Sequence, residues 1–261
     1  MDDTQGKSAF EKTDHVGHFD EYRILNSCII NKWVDIIKNE FIASKCTSDI
    51  LLDVGAGIGR FSLPFAKANP NLKIVAMDKS KKMLEWLENK KGYSELSNIQ
   101  TFWADIENFS YDKKIAIVFF SEILHLLSDL NKSFCNVYNN LADRGFCCVR
   151  TVSHRQLSNI EWVKFFDGAL EIEQCRTYDI PEIVDTFKQI GFSNIKVSNI
   201  DESSTFESDF YEKMLHNKVY SLLHILDDSI LQEGYKKISN YCKNRTNCTH
   251  TMELTCIIAK K

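Results

Sequence analysis

The chain has 261 residues, 44% of them hydrophobic and 26% charged, with a formal net charge of −4. That is enough to bury one large core with a small cap on it, and it reads as a soluble globular protein. The acidic balance offers no basic footprint for nucleic acid, and patches such as Lys79, Lys81 and Lys82 or Lys90 and Lys91 read as solvated helix faces. No stretch approaches the ~18 uninterrupted apolar residues of a membrane helix, and the polar start is not a signal peptide. The expectation is a cytoplasmic protein with no membrane partner. Nine cysteines are scattered and odd in number, without a C-x-x-C pair or a His-Cys cluster at zinc spacing. They read as reduced core thiols, and no metal is expected.

Residues 21–37 place Ile24, Leu25, Cys28, Ile29, Trp33, Ile36 and Ile37 at helical spacing, which predicts a helical cap over residues 1–48. The stretch that organises the chain follows at 49–61. Its apolar run ends in Asp53, and then Gly55, Gly57 and Gly59 stand at alternate positions, the pattern of a strand turning sharply into a helix. Such a turn lets the backbone approach a ligand and aims unpaired helix N–H groups at it. The dinucleotide fingerprint G-x-G-x-x-G would need glycine where Arg60 stands, and a Walker loop would need Gly-Lys-Ser/Thr. The run Asp-x-Gly-x-Gly-x-Gly instead resembles motif I of the class I S-adenosylmethionine-dependent methyltransferases. The resemblance implies that Asp53, Gly55, Ala56, Gly57 and Gly59 line the cofactor.

The same resemblance extends back to Phe19-Asp20-Glu21-Tyr22-Arg23, similar to the aromatic-Asp-x-Tyr-Arg entry of methyltransferases with small acceptors. It implies that Tyr22 and Arg23 contact cofactor or acceptor; a packed ring and a surface arginine is the plain alternative. Downstream, strand 73–77 runs into Asp78, roughly 20 residues past the glycine turn, where an acid holds ribose hydroxyls. Lys79 and Met83 follow on the cofactor side. Strand 99–103 leads to Asp105 and Ile106, which match the family position where an acid and the next amide meet adenine.

Strand 115–120 is followed by Ser121, Glu122 and His125, resembling the family segment that ends on the active-site side, although the acid that usually opens this strand is Ala116 here. Strand 145–152 leads into His154 and Arg155, the expected acceptor-binding pair. Trp162 and Phe166 are a pocket wall or, equally, a core face. Helix 180–190 begins near Pro181 and stops at Gly191, strand 194–200 follows, and residues 201–244 read as a long helical insertion. Residues 252–258 close the sheet as an antiparallel strand.

Alternating strands and helices mean βαβ units. The expected fold class is α/β, a Rossmann-like seven-stranded, mostly parallel sheet with an antiparallel last strand. Its parts would be a cap at 1–48, a core at 49–200, an acceptor lid at 201–245 and a last strand at 246–261. Methyl transfer from a sulfonium needs donor and acceptor held in line, with proton removal adding roughly 10²–10⁴ for a neutral acceptor. Candidate bases are His154, His125, Tyr22 and Glu161.

No Asn/Asp-Pro-Pro-aromatic tetrapeptide follows the fourth strand, no paired acids suit a magnesium-dependent enzyme, and no basic amphipathic helix supports a lipid acceptor. The expected activity is methylation of O or N on a small molecule or short biosynthetic peptide, with S-adenosylmethionine as cofactor. A non-catalytic S-adenosylmethionine-binding scaffold and a tRNA or rRNA methyltransferase stay open as alternatives. The sequence does not give an oligomeric state.

Overall fold

Ile50-Leu51-Leu52-Asp53-Val54 is apolar at four of five positions and forms β1 (Ile50–Val54), buried along its whole length, as a strand covered on both faces must be. The computed structural model describes residues 13–250 and 252–261. β1 pairs in parallel with β2 (Lys73–Asp78) and β4 (Ile115–Ser121). β2 in turn carries β3 (Ile99–Trp103), and β4 carries β5 (Leu141–Thr151). Antiparallel β9 (Glu253–Lys260) joins β5 in the register Cys147↔Ala259 to Thr151↔Thr255, and β6 (Ser193–Asp201) adds beyond it. The order β3-β2-β1-β4-β5-β9-β6 is the expected seven-stranded sheet with one reversed strand. Its order switches between β1 and β4, which puts the ends of those two strands at the crevice where ligands bind such sheets.

The chain divides into two compact units. A sheet unit takes in residues 25–151, 180–199 and 255–261. In it, helix Ser27–Ser44 buries Trp33 against Phe119 of β4, with ring centroids 6.0 Å apart. Helices Leu130–Asn140 and Ile180–Ile190 meet through Phe134 and Phe187, stacked at 4.2 Å. A helical unit takes in residues 152–179 and 200–254 together with the described N-terminal residues up to 24.

Three element boundaries differ from the sequence reading. The single helix expected over 21–37 is two, Thr13–Tyr22 and Ser27–Ser44. The Asn26 side chain accepts from the Cys28 amide at 2.8 Å and starts the second helix, leaving Ile24 exposed in the break. The helix after the glycine turn, expected over 59–68, starts at Ser62 because residues 55–61 are turn. The insertion is not wholly helical: β7 (Ser204–Glu207) pairs antiparallel with β8 (Asn247–His250), bracketing helices Ser208–His216 and Asp228–Cys242. Thr205, Phe206 and Thr249 suit a pleated pair, and the partner lies forty residues away, beyond any local pattern. Among the described residues no helix is long and apolar enough to cross a membrane.

Candidate functional site

The turn after β1 carries three consecutive alternate glycines at positive φ, +69° at Gly55, +54° at Gly57 and +79° at Gly59. Two of these are filled by the protein itself. A Cβ at Gly55 would lie 2.7 Å from Cγ2 of Ile123, and one at Gly59 would lie 2.3 Å from Cδ1 of Leu87. Gly57 differs, since a Cβ there would meet nothing within 4 Å. The turn is pinned from below by the Ala56 amide, which donates to the Met77 carbonyl at 2.9 Å.

Asp78, at the end of β2, braces the loop from the side. Its Oδ2 accepts from the Gly57 amide and its Oδ1 from the Ser80 amide, both at 2.8 Å. Loss of water raises its carboxyl above the ordinary range, and those two amides work against the rise. Ser80 caps helix Lys81–Glu88 through the Met83 amide, so Met83 is buried in the first turn of that helix.

Asp53 is buried under the turn and accepts from the Ser62 hydroxyl at 2.5 Å. Burial pushes its carboxyl up to about 7, with the charge of Asp78 adding to the rise and the Ser62 hydrogen bond opposing it. Its role in the fold is thus to tie β1 to the helix Ser62–Ala68. Asp105, beyond β3, accepts from the Glu107 amide at 3.0 Å, and Ile106 behind it is buried. Lys79 offers its carbonyl to the Trp103 indole at 3.0 Å. Trp103, at 60% exposure, stands at the end of β3 opposite Asp78 in register, with the Lys81 ammonium 3.8 Å over its ring.

At the end of β4, Glu122 has φ +57°, a conformation that costs a non-glycine residue of order 1–3 kcal/mol and gathers at functional sites. Its amide donates to the Arg150 carbonyl at 2.9 Å. Arg150, fully buried in β5, donates to the Ser121 hydroxyl at 3.2 Å and lies over the rings of Trp33 and Phe61. Sequence reasoning passed over Arg150, although a guanidinium inside the run Cys147-Cys148-Val149 was a signal. His125 sits half-buried in the short turn Leu124–Leu126.

The remaining expected residues belong to the helical unit. His154 opens the short helix His154–Leu157, its Nε2 lies 2.7 Å from the Thr177 carbonyl, and its amide donates to Asp179. Arg155 forms an exposed ion pair with Glu253 at 3.2 Å. Trp162 stacks on Tyr220 at 4.3 Å, and Phe166 covers Gly234, where a Cβ would lie 2.2 Å from its ring. Trp162, Phe166 and Tyr22 are all buried in the hydrophobic core of this unit. Tyr22 packs on Phe210, and lost water followed by Glu21 raises its phenol above the usual value. Glu161 is paired with Lys164.

Residues 47–175 match a family model described as a methyltransferase domain. Malonyl-[acyl-carrier protein] O-methyltransferase 1 of Ilyobacter polytropus is 33% identical over 91 residues, 35% of this chain and 33% of that protein. Ribosomal RNA small subunit methyltransferase G of Histophilus somni is 26% identical over 149 residues, 57% of this chain and 66% of that one. The plantazolicin methyltransferase BamL, solved with a triazolic desmethylPZN analog and SAH, superposes with a TM-score of 0.61 at 14% identity, covering 98% of this chain and 94% of its own.

Residues 47–175 therefore carry a methyltransferase domain, and the fold is the Rossmann-like one of the class I S-adenosylmethionine-dependent methyltransferases. The chain spans only a third to two thirds of the length of these two curated relatives. S-adenosylmethionine is the cofactor of this methyltransferase family, and the residues present fit it. The fit rests on the open space over Gly57 beside the acid at the end of β2, since a nucleoside needs a close backbone approach with an acceptor for its sugar.

Proposed function

We infer that the protein transfers a methyl group to O or N of a small molecule or a short biosynthetic peptide. The observation that carries this reading is Gly57, whose left-handed backbone faces open space while its two neighbouring glycines are packed. In this reading Asp53, Gly55, Ala56, Gly57 and Gly59 shape the cradle, and Asp78 takes the ribose hydroxyls. Lys79 and Met83 border the sugar, and Asp105 and Ile106 meet adenine. Ser121 and Glu122 would hold the methionine end or the acceptor. When bound, S-adenosylmethionine supplies an activated methyl carbon, so the protein's own residues align the acceptor and keep water out.

Nε2 of His154 faces a carbonyl, which weakens it as a base. His125 is the other histidine candidate, and Tyr22, whose phenol is held protonated, would donate rather than accept. Arg155, with the aromatic rings of Trp162 and Phe166, belongs to acceptor binding in this proposal. The acidic net charge favours a small acceptor over RNA.

A second reading, an RNA acceptor, is favoured by the ribosomal RNA relative. The test incubates the protein with methyl-tritiated S-adenosylmethionine and an extract of the source cells, separated into acid-soluble, RNA and protein fractions. Label in the acid-soluble fraction or in short peptides is the expected result. Salt-sensitive label in nucleosides would overturn it in favour of RNA, and tight cofactor binding with no label anywhere would point to a scaffold.

A further inference from the structure

Among the buried side-chain polar atoms of the helical unit that make no hydrogen bond are Nδ1 of His250 and the hydroxyl of Tyr211. His250 is 5% exposed and Tyr211 is fully buried. Their rings meet edge to face, with centroids 6.4 Å apart. The same place gathers further rings. Tyr220 lies parallel to His250, at 3° and 6.3 Å, and carries Trp162 stacked at 4.3 Å. The Arg23 guanidinium is 4.5 Å from the Tyr220 centroid.

Leaving a buried donor or acceptor unmade is costly, so two such atoms in one cluster mark a place where a further polar group is received. The chemistry of that group follows from its surroundings. Burial and the charge of Arg23 hold His250 neutral, with a value lowered to about 4. Burial pushes the Tyr211 phenol well above its ordinary value, so it stays an O–H donor. Glu161, the carboxylate that acts on Tyr211, is itself held by Lys164 at 3.3 Å. The Tyr211 O–H, and His250 in the tautomer that carries its proton on Nδ1, beside a guanidinium suit an anionic oxygen, and the positive field disfavours an ammonium.

We propose that Arg23, Tyr211 and His250 form a carboxylate-binding subsite for the acceptor, with Trp162 and Tyr220 as its aromatic wall. Arg23 supplies charge, Tyr211 and His250 Nδ1–H each supply one directed hydrogen bond, and the rings favour an acceptor whose carboxylate is attached to a flat or apolar body. The proposal rests on the methyl-transfer reading and adds the acceptor's chemical class. Trp162 then packs the wall from behind while remaining in the core.

The experiment uses the full chain saturated with S-adenosylhomocysteine and labelled at histidine. The probes are phenylacetate and 3-phenylpropionate, each compared with its amide. The His250 ring signal is assigned from His250→Gln and followed by NMR. The expected result is a saturable shift of that signal with at least one carboxylate, at least tenfold tighter than its amide. Tyr211→Phe should weaken that binding at least fivefold while its melting temperature stays level or rises, because an unpartnered hydroxyl contributes nothing to the free fold. Equal binding of acid and amide, no movement of His250 with either acid, or a melting temperature that falls on Tyr211→Phe would overturn the subsite. If His250→Gln does not fold, Tyr211→Phe with the carboxylate titration decides alone. Calorimetry with S-adenosylhomocysteine keeps the two readings apart: cofactor binding with no carboxylate response sinks only the subsite, and no cofactor binding sinks the methyl-transfer reading.

Discussion

Replacing Gly57 with alanine separates the fold's need for this residue from the ligand's need. The new methyl would meet no protein atom within 4 Å, so the fold pays only for holding alanine at φ +54°. That is about 1–2 kcal/mol, and at about 2–4 °C per kcal/mol for a chain of this size the melting temperature should fall by about 2–8 °C. A methyl forced into an occupied, well-packed contact costs about 1–3 kcal/mol, which weakens S-adenosylhomocysteine binding about 5- to 150-fold. Gly168→Ala is the matched control. It has φ +76°, also has nothing within 4 Å, and lies in the helical unit. Calorimetric titration paired with a thermal scan should show a similar loss of melting temperature in both variants and a loss of affinity in Gly57→Ala alone. Equal affinities would mean that the open face at Gly57 does not meet the cofactor, and the cofactor assignment of the turn would fail.

Asp78→Asn leaves one acceptor oxygen where two amides now bond, and should weaken S-adenosylhomocysteine by on the order of 1.5–3 kcal/mol, as expected for hydrogen bonds to a charged group; an unchanged dissociation constant would remove the ribose role. Two buried groups should make stability depend on pH in opposite senses. His250, lowered from 6.5 to about 4, binds fewer protons folded than unfolded between those values, so its contribution of about 3 kcal/mol is present above pH 6.5 and lost as pH falls through 4. Asp53, raised from 3.8 to about 7, holds its proton in the fold, so stability is gained as pH falls from 7 towards 4, by up to about 4 kcal/mol. Urea midpoints of the parent should therefore be nearly flat over this window, whereas Asp53→Asn should lose stability on acidification; a variant as flat as the parent refutes the assignment. His154→Ala should lower stability by about 1 kcal/mol through the lost bond to Thr177 and leave kcat nearly unchanged, while a drop of about 10² in kcat at constant stability would restore His154 as the base.

How far the sequence could be read depended on the range of each interaction. The central strands of the sheet were legible because each is a short apolar run, and the glycine turn was legible because positive φ at alternate positions has a residue type of its own. Asp78 and Asp105 follow from their places at strand ends. The strain at Glu122 was not legible, since glutamate carries no preference for φ +57°, and only the finished contacts around β4 and β5 impose it. Nor was the cluster at His250. Arg23, Trp162, Tyr211, Tyr220 and His250 come from three separate stretches, and nothing local to any of them announces the others. Trp162 and Phe166 looked alike as wall or core, and only the Phe166 contact with Gly234 shows how tightly that face is closed.

The reversed position of β9 has a consequence for how this chain is made. Among the described residues, β6 hydrogen-bonds to no strand of the sheet except β9, which begins about fifty residues later. At a synthesis rate of about 5–20 residues per second, β6 waits about 3–10 s with an open edge before its partner emerges. Five parallel strands can assemble in that interval, but the sixth cannot. A nascent chain paused inside the insertion would therefore present a naked strand to its neighbours, and the mostly exposed, polar side chains along β6 are what keep that edge from recruiting another copy.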